Sequence, residues 1–367
     1  MFDIIIIGAG PSGAHFAKLA AKDKSLKIAL VDARYFDLPS PSHKTCGGLL
    51  STHAQKELKR GNMIIPPSIQ VMPQLTQVST FDLSNHLHRF YSRTYVNIDR
   101  PAFERWLIDL IPKHVDCEFG ARVIKMSNEG DHFKVTLSRN HETFDLETKI
   151  LVGADGADSS VRRTFFSDRP FPKRYVSIQE HYTCSSQTKS FFGFFDEQVT
   201  DYYSWALQKE SELWIGSALE IDGHVHEKFD LLKKRLKEIP DFKLDDFKVS
   251  EGAIINRPLA LNQLSFHKGS VALIGEASGS ISPSSAEGFS FAFKSARLLS
   301  KQILLKGPNS LALRNYDRSC WRIRLTILFK LMKSPGMYHP WLRKIVMITG
   351  ISSINHRESV LMKKKGS

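Results

Sequence analysis

The 367-residue chain lacks any uninterrupted apolar run of about 18 residues, so no membrane-spanning helix is expected. It has only four cysteines, Cys46, Cys117, Cys184 and Cys320, far apart and without a C-x-x-C pair. That spacing argues against a zinc site or a disulfide framework. The H-x-H pairs His86/His88 and His224/His226 have no neighbouring Cys or further His, and read as ordinary strand or loop residues rather than metal ligands. The apolar N-terminus lacks the basic flank of a signal peptide and carries Asp3, so the expected location is the cytoplasm. Internal repeats are absent, and nothing of low complexity precedes the terminal MKKKGS. Acidic residues are scarce in one place only. From Arg314 onward 12 Lys/Arg meet 2 Asp/Glu, whereas the rest of the chain carries 39 basic and 36 acidic residues. The net charge of +13 therefore belongs mostly to the tail, and no nucleic-acid partner is expected.

A hydrophobic share of 42% and a charged share of 24% are ordinary for a globular protein long enough for two domains. The chain opens with FDIIIIGAGPSGAHFAKLAA. The β-branched run Ile4 to Ile7 predicts a parallel strand buried on both faces. Gly8, Gly10 and Gly13 then supply G-x-G-x-x-G. The first permits a tight turn, the second leaves room for a pyrophosphate, and the third lets the following helix pack on the strand. The helix N-terminus offers unpaired N–H groups to the phosphates. A second strand, KIALVDAR, ends in Asp32, 19 residues past Gly13, where a ribose hydroxyl needs an acceptor.

Further along, VSTFDLS and LHRFYSRTYVNI alternate as strands, and DRPAFERWLIDLI reads as a helix capped by Asp99 with Pro101 in its first turn. KILVGADGADSSVRR is a second buried strand running into glycines, and SVALIGEASG a third. Between Gly275 and Gly288 the loop GEASGSISPSSAEG is built of small, acidic and Pro residues apart from Ile281, which lets backbone approach something flat and bulky. A helix is expected from about 286 to 305. The order is interrupted: residues 1–75, 98–165 and 265–310 are expected to form a discontinuous nucleotide-binding domain, residues 76–97 and 166–264 an inserted β-rich substrate domain, and residues 311–367 a basic helical tail. In that tail Trp321, Leu325, Leu328, Phe329 and Met332 recur at helical spacing among Arg318, Arg322 and Lys330, and a break is expected at Pro335–Gly336. Such a pattern suits either an anionic membrane surface or a cap on the substrate domain.

GAGPSG at 8–13, GADGADSSVRR at 153–163 and IGEASGSISPSSAEG at 274–288 together resemble the FAD enzymes of the aromatic hydroxylase and geranylgeranyl reductase superfamily, over roughly residues 1–310. KTCGGLLS and a Y-x-W segment resemble the geranylgeranyl reductase branch; YVNIDRPAFERWL and TDYYSW look closest, within it, to the bacterial colicin M resistance family. The resemblance implies an α/β fold: a Rossmann-type FAD-binding domain of the glutathione-reductase-like, hydroxylase kind, with an inserted β-rich domain and a helical tail. It implies FAD held by Gly8, Gly10, Gly13, Asp32, Arg100, Asp155, Gly156, Gly275, Glu276, Pro283 and Gly288, with Glu276 standing where most relatives have Asp. It places Cys46 beside the flavin, and Tyr203 and Trp205 in the substrate pocket, although Leu207–Gln208 replace the Phe–Pro of that branch.

No second G-x-G-x-x-G follows a later strand, so an NAD(P)H domain is not visible. The electron donor is expected to be external, either transient NAD(P)H or a reduced protein. The expected activity is reduction of carbon–carbon double bonds in a prenyl-type lipid or other hydrophobic substrate. The alternatives are a flavin monooxygenase and an FAD-bound, membrane-associated regulatory protein. Against a halogenase stands the lack of a W-x-W-x-I-P stretch. A lipid substrate would place the protein peripherally on the inner face of the membrane.

Overall fold

The computed structural model describes residues 1–36, 46–185, 187–239, 242, 244–350 and 356–361. Lys44 and Thr45 of the KTCGG motif, and the terminal MKKKGS, lie outside them. The helices are α1 (Pro11–Ala20), α2 (Thr52–Arg60), α3 (Arg100–Asp109), α4 (Ser160–Phe165), α5 (Val225–Lys237), α6 (Phe289–Lys306), α7 (Ser310–Ser319), α8 (Trp321–Tyr338) and α9 (Pro340–Thr349).

The expected α/β architecture is observed. Strand Phe2–Ile7 lies between Ile28–Asp32 and Glu142–Gly153, parallel to both, with Ile4 opposite Ile28 and Ile150. Val271–Leu273 extends the sheet beyond Glu142–Gly153, and Asp116–Phe119 extends it beyond Ile28–Asp32, again parallel. Period-two alternation then sorts the side chains. Ile4, Ile6, Ile28, Leu30, Ile150 and Val152 face α1 and α6, packing with Phe16, Ala17, Ala296 and Leu299. Ile5, Ile7, Ala29, Val31 and Leu151 face the other way, against Val135 and Leu137 of an antiparallel hairpin and Val161 of α4. Burial on both faces is why the run Ile4–Ile7 carries no polar residue.

The second sheet has the strand order Phe247–Arg257, Lys173–Thr183, Glu212–Glu220, Ser204–Lys209, Ser190–Phe195, Leu75–Asp82, Leu87–Asn97, His356–Leu361, with Leu49–Ser51 paired beside Leu87–Asn97. All neighbours are antiparallel except Ser190–Phe195 and Leu75–Asp82, which run parallel. Helix α5 covers one face, where Phe229, Leu232 and Leu236 bury Ile178, Ile215 and Leu219. The opposite face carries Tyr175, Tyr202, Trp205 and Leu207.

Two helix boundaries differ from expectation. Helix α6 starts at Phe289 rather than near 286, because Ala286 has φ +48° and its N–H is taken by the Tyr202 hydroxyl. Glu287 instead caps the helix, accepting from Ser290 N at 2.7 Å. Helix α8 runs through Pro335 and ends at Tyr338. Ser334 Oγ bonds the Lys330 carbonyl at 2.9 Å, and the chain turns only at extended His339, which Pro340 forces out of the helical region.

Candidate functional site

A cavity of about 1230 Å³ runs between the two sheets and under α8 and α9. Small-molecule pockets usually measure about 300–1,000 Å³, so this one has room for a dinucleotide and a second ligand. Gly8, Gly10, Asp32, Cys46, Arg100, Asp155, Gly156, Tyr203, Trp205, Glu276 and Gly288 all line it; Gly13, Gly275 and Pro283 do not.

The three glycines of the first turn do different work. Gly8 has φ +101°, and a Cβ there would stand 2.6 Å from the Ala154 carbonyl oxygen. A Cβ on Gly13 would stand 1.8 Å from the Gly8 carbonyl oxygen, so Gly13 holds α1 against the turn. A Cβ on Gly10 would meet nothing within 4 Å; the space it leaves is cavity. No side chain caps α1, whose N-cap is Gly10 and whose first residue, Pro11, has no N–H to satisfy. An open glycine at an uncapped helix N-terminus is a cradle suited to a pyrophosphate.

At one end of the cavity four charged groups interlock. Asp32 accepts from Ala9 N at 2.7 Å and pairs with Arg34 at 3.0 Å. Arg34 also reaches Glu104 at 2.7 Å, and Glu104 accepts from Arg100 Nε at 2.7 Å. Burial would raise the Glu104 carboxyl, but the guanidiniums of Arg100 and Arg34 outweigh it and hold it below its ordinary value. Arg100 also stacks on the Phe289 ring at 4.7 Å. Arg34 and Glu104 were not anticipated. The signal for Glu104 was its place four residues after Arg100 in one helix, where side chains meet.

Asp155 lines the cavity, but its carboxylate is committed to α4, accepting from Ser159 Oγ at 2.5 Å, Ser160 N at 2.7 Å and Val161 N at 3.2 Å. Burial raises it above its ordinary value against those bonds. Gly156, at φ +78°, gives the turn its direction.

The small-residue loop is held from outside. Tyr202 donates to the Ser282 carbonyl at 3.0 Å, Tyr203 to that of Ser285 at 3.0 Å, and Tyr338 of α8 to that of Ser284 at 2.9 Å. Arg257 donates to the Pro283 carbonyl at 3.3 Å, and Pro283 does not line the cavity. Gly275, at φ +60°, is a packing contact; a Cβ there would lie 2.7 Å from Ser12 Oγ. Glu276 accepts from Asn256 N at 2.9 Å.

Cys46 stands on the cavity wall. Its glycines allow backbone contact: a Cβ on Gly47 would press Leu207 at 2.8 Å, and one on Gly48 would lie 2.6 Å from the Ile98 carbonyl oxygen. Beneath them Lys209 is buried and donates to Asn97 Oδ1 at 2.7 Å and Ile98 O at 2.6 Å. Burial pulls its ammonium down to about 8, partly opposed by Cys46. Tyr203 and Trp205 have their polar tips engaged, Trp205 Nε1 with Gln179 at 3.3 Å, so their rings rather than their donors face the cavity.

The tail forms the roof. Lys330, Met332, Lys333, Met337, Arg343 and Met347 line the cavity from α8 and α9. Arg343, almost wholly buried, pairs with Asp82 at 2.8 Å and Glu197 at 3.4 Å, and Arg89 donates to the carbonyls of Met347 and Ile348. Among the described residues no group of three or more His, Cys, Asp or Glu is placed to hold a metal ion. No helix among them is long and apolar enough to cross a membrane.

Fold comparison gives a TM-score of 0.76 with a geranylgeranyl bacteriochlorophyll reductase-like protein from Thermoplasma acidophilum, at 17% identity over 96% of this chain and 92% of that one. A variant of Klebsiella pneumoniae HpxO, solved in complex with FAD, gives 0.69 at 17% identity over 96% and 95%. The architecture is therefore that of the FAD-dependent oxidoreductases and hydroxylases. No family model matches the chain. It is 34% identical over 355 residues to Protein CbrA of Escherichia coli O6:H1, covering 96% of this chain and 94% of the relative. The chain belongs to the CbrA family, in agreement with the resemblance read from its motifs.

Proposed function

We propose that the protein is an FAD-dependent oxidoreductase that reduces a carbon–carbon double bond of a prenyl-type or other hydrophobic substrate. The observation that carries this reading is the continuity of one cavity from the open glycine turn, past Cys46, to the rings of Tyr203 and Trp205. Residues of the first turn and Arg100 fit the dinucleotide, and the loop held by Tyr202, Tyr203 and Tyr338 fits a flat ring. Bound and reduced, FAD supplies a hydride equivalent. The chain's own part is to hold the substrate against the aromatic wall, to keep water out under α8 and α9, and to offer a proton from Cys46 Sγ to the second carbon. Tyr203 orients the loop through its bond to Ser285 and donates no proton. The donor of electrons is external, a transient NAD(P)H or a reduced protein.

The test is anaerobic. With the flavin reduced chemically, polyprenyl lipids are added and reoxidation is followed by absorbance. Reoxidation with stoichiometric saturated product is expected. Reoxidation only when oxygen is admitted, with oxygenated product, would replace the reductase reading by a monooxygenase; reoxidation by neither would favour a regulatory flavoprotein.

The tail supports a membrane-surface location. Trp321, Phe329, Met332, Trp341 and Ile348 are each more than half exposed, and Arg322 and Lys344 are exposed among them. Apolar side chains beside cations suit an anionic bilayer interface, where each basic residue is worth about 1 kcal/mol. The protein is expected to sediment with vesicles containing anionic lipid at low salt, and to be released by high salt or neutral lipid. Absence of binding, or binding indifferent to charge, would leave the tail as a roof alone.

A further inference from the structure

The cations around the cavity divide into two groups. Arg34 and Arg100 are neutralised by Asp32 and Glu104, and Arg343 by Asp82 and Glu197. Arg89 is spent on the last carbonyls of α9. Arg122, exposed, belongs to the first sheet. At the tail remain Arg93, Lys330 and Lys333, and no described carboxylate lies within ion-pair distance of any of them. Arg93 lies 5.1 Å over the Tyr95 ring, and Lys330 donates to Ser282 Oγ at 3.0 Å. Lys330 and Lys333 stand three apart on α8, a like-charge spacing that weakens a helix.

These three groups act on one another. Burial lowers the Lys330 ammonium, Glu287 opposes this, and Arg93 and Lys333 lower it further. Glu287 is the acid facing them, with its carboxylate already accepting from Ser290 N and Oγ as the cap of α6. His53 faces the same groups, and its imidazole is lowered by burial, with Glu287 opposing and Lys330 and Arg93 among the groups adding to it. Arg93 and Lys330, both half-buried, thus face one committed acid where burial makes unpaired charge costly, and Lys333 stands at the exposed rim. The same cavity is lined by apolar Val78, Phe191, Phe195, Met337, Val346 and Met347.

We propose that this end of the cavity is a binding site for the anionic head, a phosphate or carboxylate, of an amphiphile whose hydrocarbon lies on that apolar wall. Arg93, Lys330 and Lys333 make charge-assisted hydrogen bonds to the head, and the C-terminal tail therefore supplies part of the substrate site. The inference rests on the reading of the cavity as a substrate pocket.

The experiment is calorimetric titration of the full chain with decyl phosphate, with decanol and with inorganic phosphate alone. Decyl phosphate is expected to bind at least about tenfold tighter than decanol, the discrimination a single charge-assisted contact of about 1.5 kcal/mol gives. Inorganic phosphate is expected to bind too weakly to compete. In the double variant Arg93→Gln/Lys330→Gln the two decyl ligands should become equal within about twofold, while Lys344→Gln on the outer face changes nothing. Equal affinity for decyl phosphate and decanol in the unaltered chain would overturn the proposal without any variant. So would inorganic phosphate binding as tightly as decyl phosphate, which marks a plain anion site, or a double variant that folds and still discriminates. Flavin absorbance is read in the same samples. A chain without flavin that prefers decyl phosphate would refute the FAD reading and leave this one standing.

Discussion

Gly10→Glu is expected to fold normally and to lose its flavin. A Cβ at this position meets nothing within 4 Å, so the new side chain enters the cavity and displaces no protein atom. There its carboxylate would face the pyrophosphate at the N-terminus of α1. Two like charges about 4 Å apart at an effective dielectric of about 20 repel by about 4 kcal/mol, close to a 10³-fold loss of affinity. Gly13→Ala is the contrasting variant. Its Cβ would overlap the Gly8 carbonyl oxygen, so α1 must shift from the sheet, at about 1–3 kcal/mol for overpacking. The first variant should therefore keep the thermal midpoint of the flavin-free chain while failing to bind FAD; the second should lower the midpoint as well. A stoichiometric flavin spectrum from purified Gly10→Glu would remove the basis of the cofactor assignment.

Cys46→Ala is expected to retain FAD and to lose about 10²–10⁴-fold in kcat, the usual contribution of a positioned proton donor. Two observations support the size of this effect. Cys46 lies on the cavity wall, and the two residues after it are closely packed: Gly47 on Leu207 and Gly48 on Ile98, with buried Lys209 tying Asn97 to Ile98. The other polar tips near it, those of Tyr203 and Trp205, are already engaged. Flavin content and kcat are measured on the same preparation. Unchanged turnover would mark the thiol as inert, and a parallel fall in FAD would make its role structural.

What the sequence revealed depended on distance along the chain. The first strand, its glycine turn, α1 and Asp32 follow one another within 32 residues, and each is dictated by its neighbours: β-branched residues, glycines, then a helical apolar stripe. The Asp99 cap of α3 was equally local, with its carboxylate accepting from Ala102 N at 2.9 Å. Contacts across the fold left no such pattern. Arg343 and Asp82 are 261 residues apart, and Lys209 and Asn97 are 112 apart. Basic residues of the tail looked alike in the sequence. Only folding separates Arg343, neutralised inside, from Lys330, left facing the cavity, and from Lys344, turned outward. Helix α6 begins three residues later than its pattern implies because Ala286 sits at φ +48°, where its amide reaches both the Ser282 carbonyl and the Tyr202 hydroxyl, more than 80 positions away.

The strand order also sets when the nucleotide site can exist during synthesis. Its central strand is made first, at Phe2–Ile7, yet Val271–Leu273 and α6 are among the last parts of that layer to leave the ribosome. At about 5–20 residues per second, the interval is about 15–60 s. For all that time the apolar face carrying Ile4 and Ile6, later covered by Ala296 and Leu299, has no partner from α6. An apolar face left uncovered for that long is expected to need shielding by a chaperone. Flavin is expected to bind only after the loop before α6 has been made.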